Sequence, residues 1–383
     1  MTEPVSIYIH IPFCVRKCRY CSFVSEADAP LSPREYTDLL LREMALRAGR
    51  QQVPSRAPTL YLGGGTPSLL FPGEVGRIIE TAARLFGLET GAEVTLEANP
   101  GTVTPASLAG YRAAGVNRLS LGVQSFDDRM LAVLGRLHSA REAREAFAAA
   151  RGAGFDAVGI DLIHSLPGQD LGQWREELRR AAILSPEHLS AYGLTVEEGT
   201  PFARLEAQGA LLLPGEEEAA RMFEETAEIL AAFGYEHYEI SNYARPGRRS
   251  RHNQIYWRRE SYLGFGAGAH SFLRSPRPGI RWKNPDDLAR YGRLLAAGSL
   301  PDEEVVRLSE REAMGEWLFL GLRMLDGVES ARFREEFAAE LEAVFGGEVE
   351  RLRAAGLLDT GEGMLRLTRR GILLSNQVFA RFL

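Results

Sequence analysis

Cys14, Cys18 and Cys21 carry the clearest chemical signal in this chain. They are its only cysteines, and they fall within eight residues. An odd total argues against a disulfide framework. Spacings of four and three residues let one loop wrap three thiolates around a compact inorganic centre. Arg16, Lys17 and Arg19 beside them favour the ionised thiol. A structural zinc normally takes four protein ligands, so the fourth here would have to be His10 or a distant residue. A four-iron, four-sulfur cube also normally takes four thiolates; held by three, it keeps one iron open to a cofactor or substrate.

Such a loop needs a scaffold. Short apolar runs at Ser6–Ile9, Thr59–Leu62, Glu93–Glu97, Arg118–Val123, Ala157–Ile163 and His188–Tyr192 read as strands. Amphipathic stretches lie between them, at Pro33–Ala48, Glu74–Phe86, Pro105–Ala114, Ala140–Ala153, Leu171–Leu184 and Gly215–Phe233. Strand-then-helix units in succession imply a parallel sheet covered by helices, with chemistry at the C-terminal ends of the strands. Chemically capable residues fall at those ends. Cys14 follows the first strand, Gly63-Gly64-Gly65-Thr66 the second, and Glu97 ends the third. Gln124 follows the fourth, and Asp161 lies toward the end of the fifth. Tyr8 and His10 are two apart on the first strand and share a face. The alternation breaks down from about Ile240 to Asp287, in a stretch rich in Arg, Gly and aromatic residues. Beyond Pro301 the chain reads as mainly helical: Glu303–Gly327, Phe333–Phe345 and Val349–Ala355 as helices, with a small hairpin near Leu357–Leu367. We therefore expect a barrel-like unit over 1–240, a substrate-facing connecting region over 241–299, and a C-terminal domain over 300–383.

Composition limits the partners. Lys and Arg number 45 against 51 Asp and Glu, a net charge of -6, so no nucleic-acid partner is expected. No run of about 18 apolar residues is present, and the N-terminus lacks the basic-then-apolar order of a secretory signal. A cytoplasmic protein is the expectation.

The spacing CxxxCxxC with an aromatic residue before the last cysteine resembles the radical S-adenosylmethionine superfamily. More specifically, YIHIPFCVRKCRYC resembles the oxygen-independent coproporphyrinogen III oxidases and their relatives, the HemW-type haem chaperones. The likeness runs from about Tyr8 to Phe272. It implies an α/β fold: a radical S-adenosylmethionine partial (β/α)6 barrel with a smaller, mainly helical, winged-helix-like C-terminal domain. It implies a [4Fe-4S] cluster on Cys14, Cys18 and Cys21, with S-adenosylmethionine on the open iron. The resemblance assigns Gly64, Gly65 and Thr66 to the methionine part of that cofactor, and Glu97, Gln124, Arg136 and Asp161 to positions around it. It places Tyr8 near cofactor and cluster. Independently of any family, Glu97 can accept from two ribose hydroxyls, Arg136 can pair with a carboxylate, and an acid such as Asp161 inside an apolar strand needs a partner.

Within this group the branches part at a few residues. The oxidases would carry a further cysteine two residues after the third; here that place is Phe23. They would also carry a long extension before the first strand, where only seven residues precede Tyr8. The chaperone motif HNxxYW is present as His252-Asn253-Gln254-Ile255-Tyr256-Trp257. His252 can ligate haem iron, and Tyr256 and Trp257 can pack on the macrocycle. Arg245, Arg248, Arg249, Arg251, Arg258 and Arg259 can meet propionates, and His270 is a second possible ligand. The resemblance thus points to a haem carrier, with haem as cargo, a haem-accepting membrane or respiratory protein as recipient and an electron donor for the cluster. Delivery would bring it to the membrane surface. The competing readings are oxidative decarboxylation of coproporphyrinogen III and another radical reaction on haem, such as methyl transfer with ring opening.

Overall fold

The computed structural model describes residues 3–50 and 56–383. Six parallel strands come first: β1 (Ser6–Ile11), β2 (Ala57–Gly64), β3 (Leu88–Ala98), β4 (Arg118–Gln124), β5 (Val158–His164) and β6 (His188–Gly193). They lie side by side in chain order. The helices between and after them are α1 (Pro33–Arg50), α2 (Pro72–Phe86), α3 (Pro105–Ala113), α4 (Asp128–Leu134), α5 (Ala140–Gly152), α6 (Leu171–Ile183), α7 (Pro201–Ala207) and α8 (Glu216–Ala232). Local signals start and stop them. Pro72 opens α2 and left-handed Gly87 ends it, while Ser139 with Glu142 and Asp170 with Gln173 form capping boxes on α5 and α6.

Alternation along the strands divides the molecule into two faces. Ile7, Ile9, Leu60, Leu62, Leu96, Leu119, Leu121, Val158, Ile160 and Leu189 are almost wholly buried and form the main core with the helices. Burying each such side chain contributes about 1.5–3 kcal/mol. The intervening residues are Tyr8, Tyr61, Thr95, Glu97, Ser120, Asp161 and Ser190, and pairing aligns them across the sheet: Tyr8 with Tyr61, Tyr61 with Thr95, Glu97 with Ser120, Asp161 with Ser190. The inner face is therefore polar and encloses a cavity in place of a packed interior.

The stretch where alternation fails in the sequence extends the sheet with short antiparallel strands. On one side these are β7 (Glu236–Glu239) and β8 (Asn242–Ala244). On the other are β9 (Tyr262–Phe265), β10 (His270–Leu273), β11 (Ile280–Lys283) and β12 (Glu303–Arg307), with β9 joined in parallel to β1. The result is one open sheet of twelve strands, with β12 and β7 at its two edges. Helix α9 (Arg251–Trp257) carries the HNQIYW segment.

The C-terminal domain has helices at Glu310–Gly321, Ser330–Phe337 and Leu341–Ala354 and a three-stranded sheet of β13 (Val328–Glu329), β14 (Leu358–Gly361) and β15 (Met364–Leu367). Its own core holds Leu318, Phe333, Leu341, Phe345 and Val378. Two sequence-based expectations need correction here. Residues 303–307 are strand, because β11 offers a ladder to a segment with no strong preference of its own. The helix expected over Phe333–Phe345 is broken at Ala338, which takes a left-handed conformation (φ 53°).

Candidate functional site

The three cysteines lie on the loop between β1 and α1. The loop is closed at its base by backbone bonds: Cys14 N–H donates to Glu26 (3.0 Å) and Glu26 N–H to Pro12 (2.7 Å). Its far side is tied to the corner after α4. Arg19 N–H donates to the Leu134 carbonyl (3.1 Å) and the Arg16 guanidinium to that of Gly135 (2.8 Å). The thiols are half-buried, free, and line one side of a cavity of about 450 Å³. That volume suits a small cofactor. Burial first, and then Cys18 and Cys14, push the Cys21 thiol above its usual range. A cationic centre relieves such crowding, because metal binding deprotonates thiols and offsets their mutual repulsion. Among the described residues no three His, Cys, Asp or Glu side chains converge on a single-ion position.

The cavity is also lined by Gly64, Gly65, Thr66, Glu97, Gln124, Arg136 and Asp161. Glu97 is the best oriented of these. Its two oxygens accept from Tyr61 OH (2.7 Å) and Gly64 N–H (3.1 Å). Burial raises its pKa to about 7, with nearby Asp161 adding to the rise and the two donors opposing it. Asp161 accepts from Ser120 (3.0 Å), and burial raises its pKa against the pull of Ser190 and Ser120. Among the described residues it makes no ion pair with Arg136. The Arg136 guanidinium instead donates to Cys18 Sγ (3.5 Å), to the Gly122 carbonyl (2.5 Å) and to Asn99 Oδ1. Its Nε is buried without a partner. Asn99 Nδ2 in turn donates to Thr66 Oγ1 (2.8 Å), which lies 3.6 Å from Cys14 Sγ. Thr66, Asn99 and Arg136 thus link the glycine turn to two of the thiols. Gln124 takes a left-handed conformation (φ 68°), rare for a non-glycine residue, at a bulge that ends β4.

The glycines have a packing reason of their own. A Cβ on Gly64 would stand 2.6 Å from the His10 imidazole, and its φ is 111°. A Cβ on Gly65 would stand 2.7 Å from the Phe13 carbonyl oxygen. The second strand can approach the thiol loop only without side chains here. Gly64→Ala is expected to destabilise the fold by about 2 kcal/mol or more, through strain and overpacking together. Thermal melts would check this; an unchanged midpoint would refute it.

Sequence reasoning missed Tyr61, Asn99, Ser120 and Ser190. They have no spacing signature, and only strand pairing brings them to the site. Tyr8 is near the site but does not line the cavity; its hydroxyl hydrogen-bonds His10 Nδ1 (3.1 Å). His10 Nε2 is bonded to the Val24 carbonyl (2.8 Å), so both its nitrogens are engaged.

The HNQIYW segment lies on α9. Helix α9 closes the floor of the strand array. Glu93 accepts from the N–H groups of Arg251 (3.2 Å) and His252 (2.9 Å), and Ser250 and Asn253 line the deep end of the cavity. His252 is 0 % exposed. Its Nδ1 pairs with Thr59 Oγ1 (2.7 Å) and its Nε2 with Tyr256 OH (2.9 Å). The imidazole has no nitrogen free for iron in this arrangement. Tyr256 and Trp257 pack within an aromatic group that includes Tyr262, and Arg323 stacks over Trp257. Of the six arginines, Arg245, Arg251, Arg258 and Arg259 donate to acceptors within the chain and Arg249 pairs with Asp326.

Burial lowers the His252 pKa to about 3. The unfolded chain binds a proton there near pH 6.5, and the folded chain does not. Stability is therefore fully present above pH 6.5 and is lost as pH falls, by about 1.4 kcal/mol per pH unit from this group. His252→Gln should flatten that acid-side slope while lowering stability at pH 7 by about 2–4 kcal/mol, through lost buried hydrogen bonds. Urea titrations between pH 5 and 8 would read both effects; parallel curves for the two proteins would exclude this role.

The Radical SAM superfamily profile matches residues 8–181 and the HemN C-terminal domain profile residues 308–374. The chain is 36% identical to "Heme chaperone HemW" of Bacillus subtilis over 379 residues, 99% of each chain. The chain belongs to the HemW family of radical S-adenosylmethionine proteins. It is also 41% identical to the HemW of Escherichia coli over 278 residues, 71% of each chain. The solved Escherichia coli coproporphyrinogen III oxidase HemN, a radical SAM enzyme, superposes with a TM-score of 0.84 over 99% of this chain and 90% of its own. At 24% identity that likeness establishes the shared α/β fold with its C-terminal helical domain. No helix among the described residues of this HemW-family chain is long and apolar enough to cross a membrane.

Proposed function

We propose that this protein binds haem and hands it to haem-accepting proteins, carrying a [4Fe-4S] cluster and S-adenosylmethionine at the cavity. The observation that carries this reading is the full-length likeness to "Heme chaperone HemW" of Bacillus subtilis. The site is consistent with it. Cys14, Cys18 and Cys21 would hold the cluster. Glu97 would accept from the ribose hydroxyls of the cofactor. Arg136, whose Nε has no partner, would meet its carboxylate, and Gly64, Gly65 and Thr66 would follow its methionine chain. When bound, cluster and cofactor supply one-electron chemistry. The protein's own part is to orient them, and the inner polar rows, closed below by α9, keep bulk water from the far side of the site. An electron donor would reach the thiol loop from outside, where Arg16, Lys17 and Arg19 are exposed.

The test is anaerobic and side by side. Protein reconstituted with iron and sulfide, with reductant and S-adenosylmethionine present, is offered ferric haem or coproporphyrinogen III. Haem should stay with the protein through gel filtration and pass to an apo-cytochrome added afterwards. Coproporphyrinogen III should be recovered intact. Formation of its decarboxylated product would replace this reading by that of an oxidase.

A further inference from the structure

The chain has seven histidines, and six of them hydrogen-bond through the ring. His270 is the exception among the described residues. It is exposed and stands first on β10. The turn before it is held tightly. Buried Glu43 on α1 accepts from Gly266 N–H (2.9 Å), Asn284 Nδ2 (2.8 Å) and Tyr291 OH (2.7 Å). Gly268 packs so close to Val24, three residues past Cys21, that a Cβ there would stand 2.9 Å from it. His270 is therefore fixed at the rim beside the thiol loop, on a rigid strand and not on a free loop.

Register defines the face around it. His270 is directly opposite Lys283, Phe272 opposite Arg281, and Arg281 opposite Val306. These residues share one side of the sheet. Ser271 and Trp282 point to the other side, where they are buried and Arg47 covers the indole. Around the buried Phe272 this side presents an imidazole with no hydrogen-bond partner, two cations and an apolar side chain, Val306, that is 47% exposed. Arg281 also stacks over Phe272 at 5.3 Å, which leaves a flat guanidinium on the face. Lys283 pairs with Asp286 (2.9 Å) and Arg281 with Glu316 (3.0 Å), both contacts that a competing carboxylate can replace.

We propose that His270, and not His252, is the protein ligand to haem iron, with Lys283 and Arg281 meeting the propionates. This rests on the haem-carrier reading above. The chemistry needs a neutral imidazole with a free nitrogen at an accessible edge, and cations one strand away for the carboxylates. The His270 face supplies all of these. His252 is also neutral, but it offers neither a free nitrogen nor an accessible edge, because it is enclosed and doubly bonded. Burial and the two cations also lower the His270 pKa, which keeps the ring neutral near pH 7.

Ferric haem is titrated into the full chain and into His270→Ala and His252→Gln, with Soret and electron paramagnetic resonance spectra as readouts. Metal-free protoporphyrin IX serves as a parallel ligand. His270→Ala should lose the low-spin signature and weaken haem binding about tenfold or more. Free imidazole should restore the signature. Metal-free protoporphyrin, which makes no bond to the imidazole, should bind as to the unmodified chain. His252→Gln should keep the Soret position. A His270→Ala variant with unchanged spectrum and affinity would overturn the assignment, as would equal loss of haem and metal-free porphyrin. If the unmodified chain holds no haem, the carrier reading itself falls, a result distinct from either.

Discussion

Cys18→Ser is expected to empty the iron–sulfur site, with iron and acid-labile sulfide falling about tenfold or more and the visible sulfur-to-iron absorbance disappearing. Three ligands already leave one corner of a cube open, so a second open corner cannot be spared. A serine hydroxyl is a harder, far less acidic donor than a thiol, and Arg136 beside Cys18 can hydrogen-bond it but cannot make it a thiolate. The fold should survive. The loop is tied by main-chain bonds at Glu26 and Leu134 that do not involve the sulfurs. Far-UV circular dichroism should therefore match the unmodified protein while the colour is gone. A Cys18→Ser protein that reconstitutes a full four-iron centre would remove the ligand assignment, and with it the reason for placing S-adenosylmethionine at the cavity.

The second large effect concerns Glu97→Gln. Its two carboxylate oxygens already accept from Tyr61 and Gly64, and their remaining lone pairs face the cavity. Glutamine offers one oxygen and an NH₂ group that must face one of those two donors. Losing a charged acceptor and leaving a donor unpaired costs about 2–3 kcal/mol, so S-adenosylmethionine should bind some 30- to 160-fold more weakly. The pH dependence sharpens the test. In the free protein Glu97 titrates at about 7, and the ionised form is the better acceptor. Binding to the unmodified chain should weaken as pH falls below 7, approaching tenfold per unit, and level off above 8. The Gln variant should show no such slope. Equilibrium dialysis at pH 6, 7 and 8 would read this. Equal affinities for the two proteins at pH 8 would show that Glu97 does not contact the cofactor.

Much of the site is legible in the order of residues itself. The period-two alternation in β1, β4 and β5 names the residues of each face. The spacing of Cys14, Cys18 and Cys21 points to the kind of centre they would hold. Gly64, Gly65, Thr66, Glu97, Gln124 and Asp161, which stand out at or near strand ends, line one cavity together with Arg136. Asn99 escapes notice although it follows Glu97 by two residues, because nothing in its neighbourhood says that it will bridge Thr66 and Arg136. β12 escapes for a similar reason. A five-residue charged segment with two valines has no strong preference of its own, and its partner β11 decides.

The sequence alone determined what is short-ranged: the period of side chains along each strand, the caps of the helices and the four- and three-residue steps between thiols. These depend on backbone geometry within one turn or one loop. Only the tertiary structure decided which donors meet which acceptors across the sheet. His252 reads as an open ligand in its motif, yet it is wholly enclosed because Thr59, 193 residues away, and Glu93 lie opposite α9. His270 reads as a second possible ligand, and among the described residues it alone of the seven is left unbonded, at the rim. The physical reason is the same for both. A hydrogen bond satisfies an imidazole only when folding brings its partner near, and a one-dimensional pattern does not record that distance.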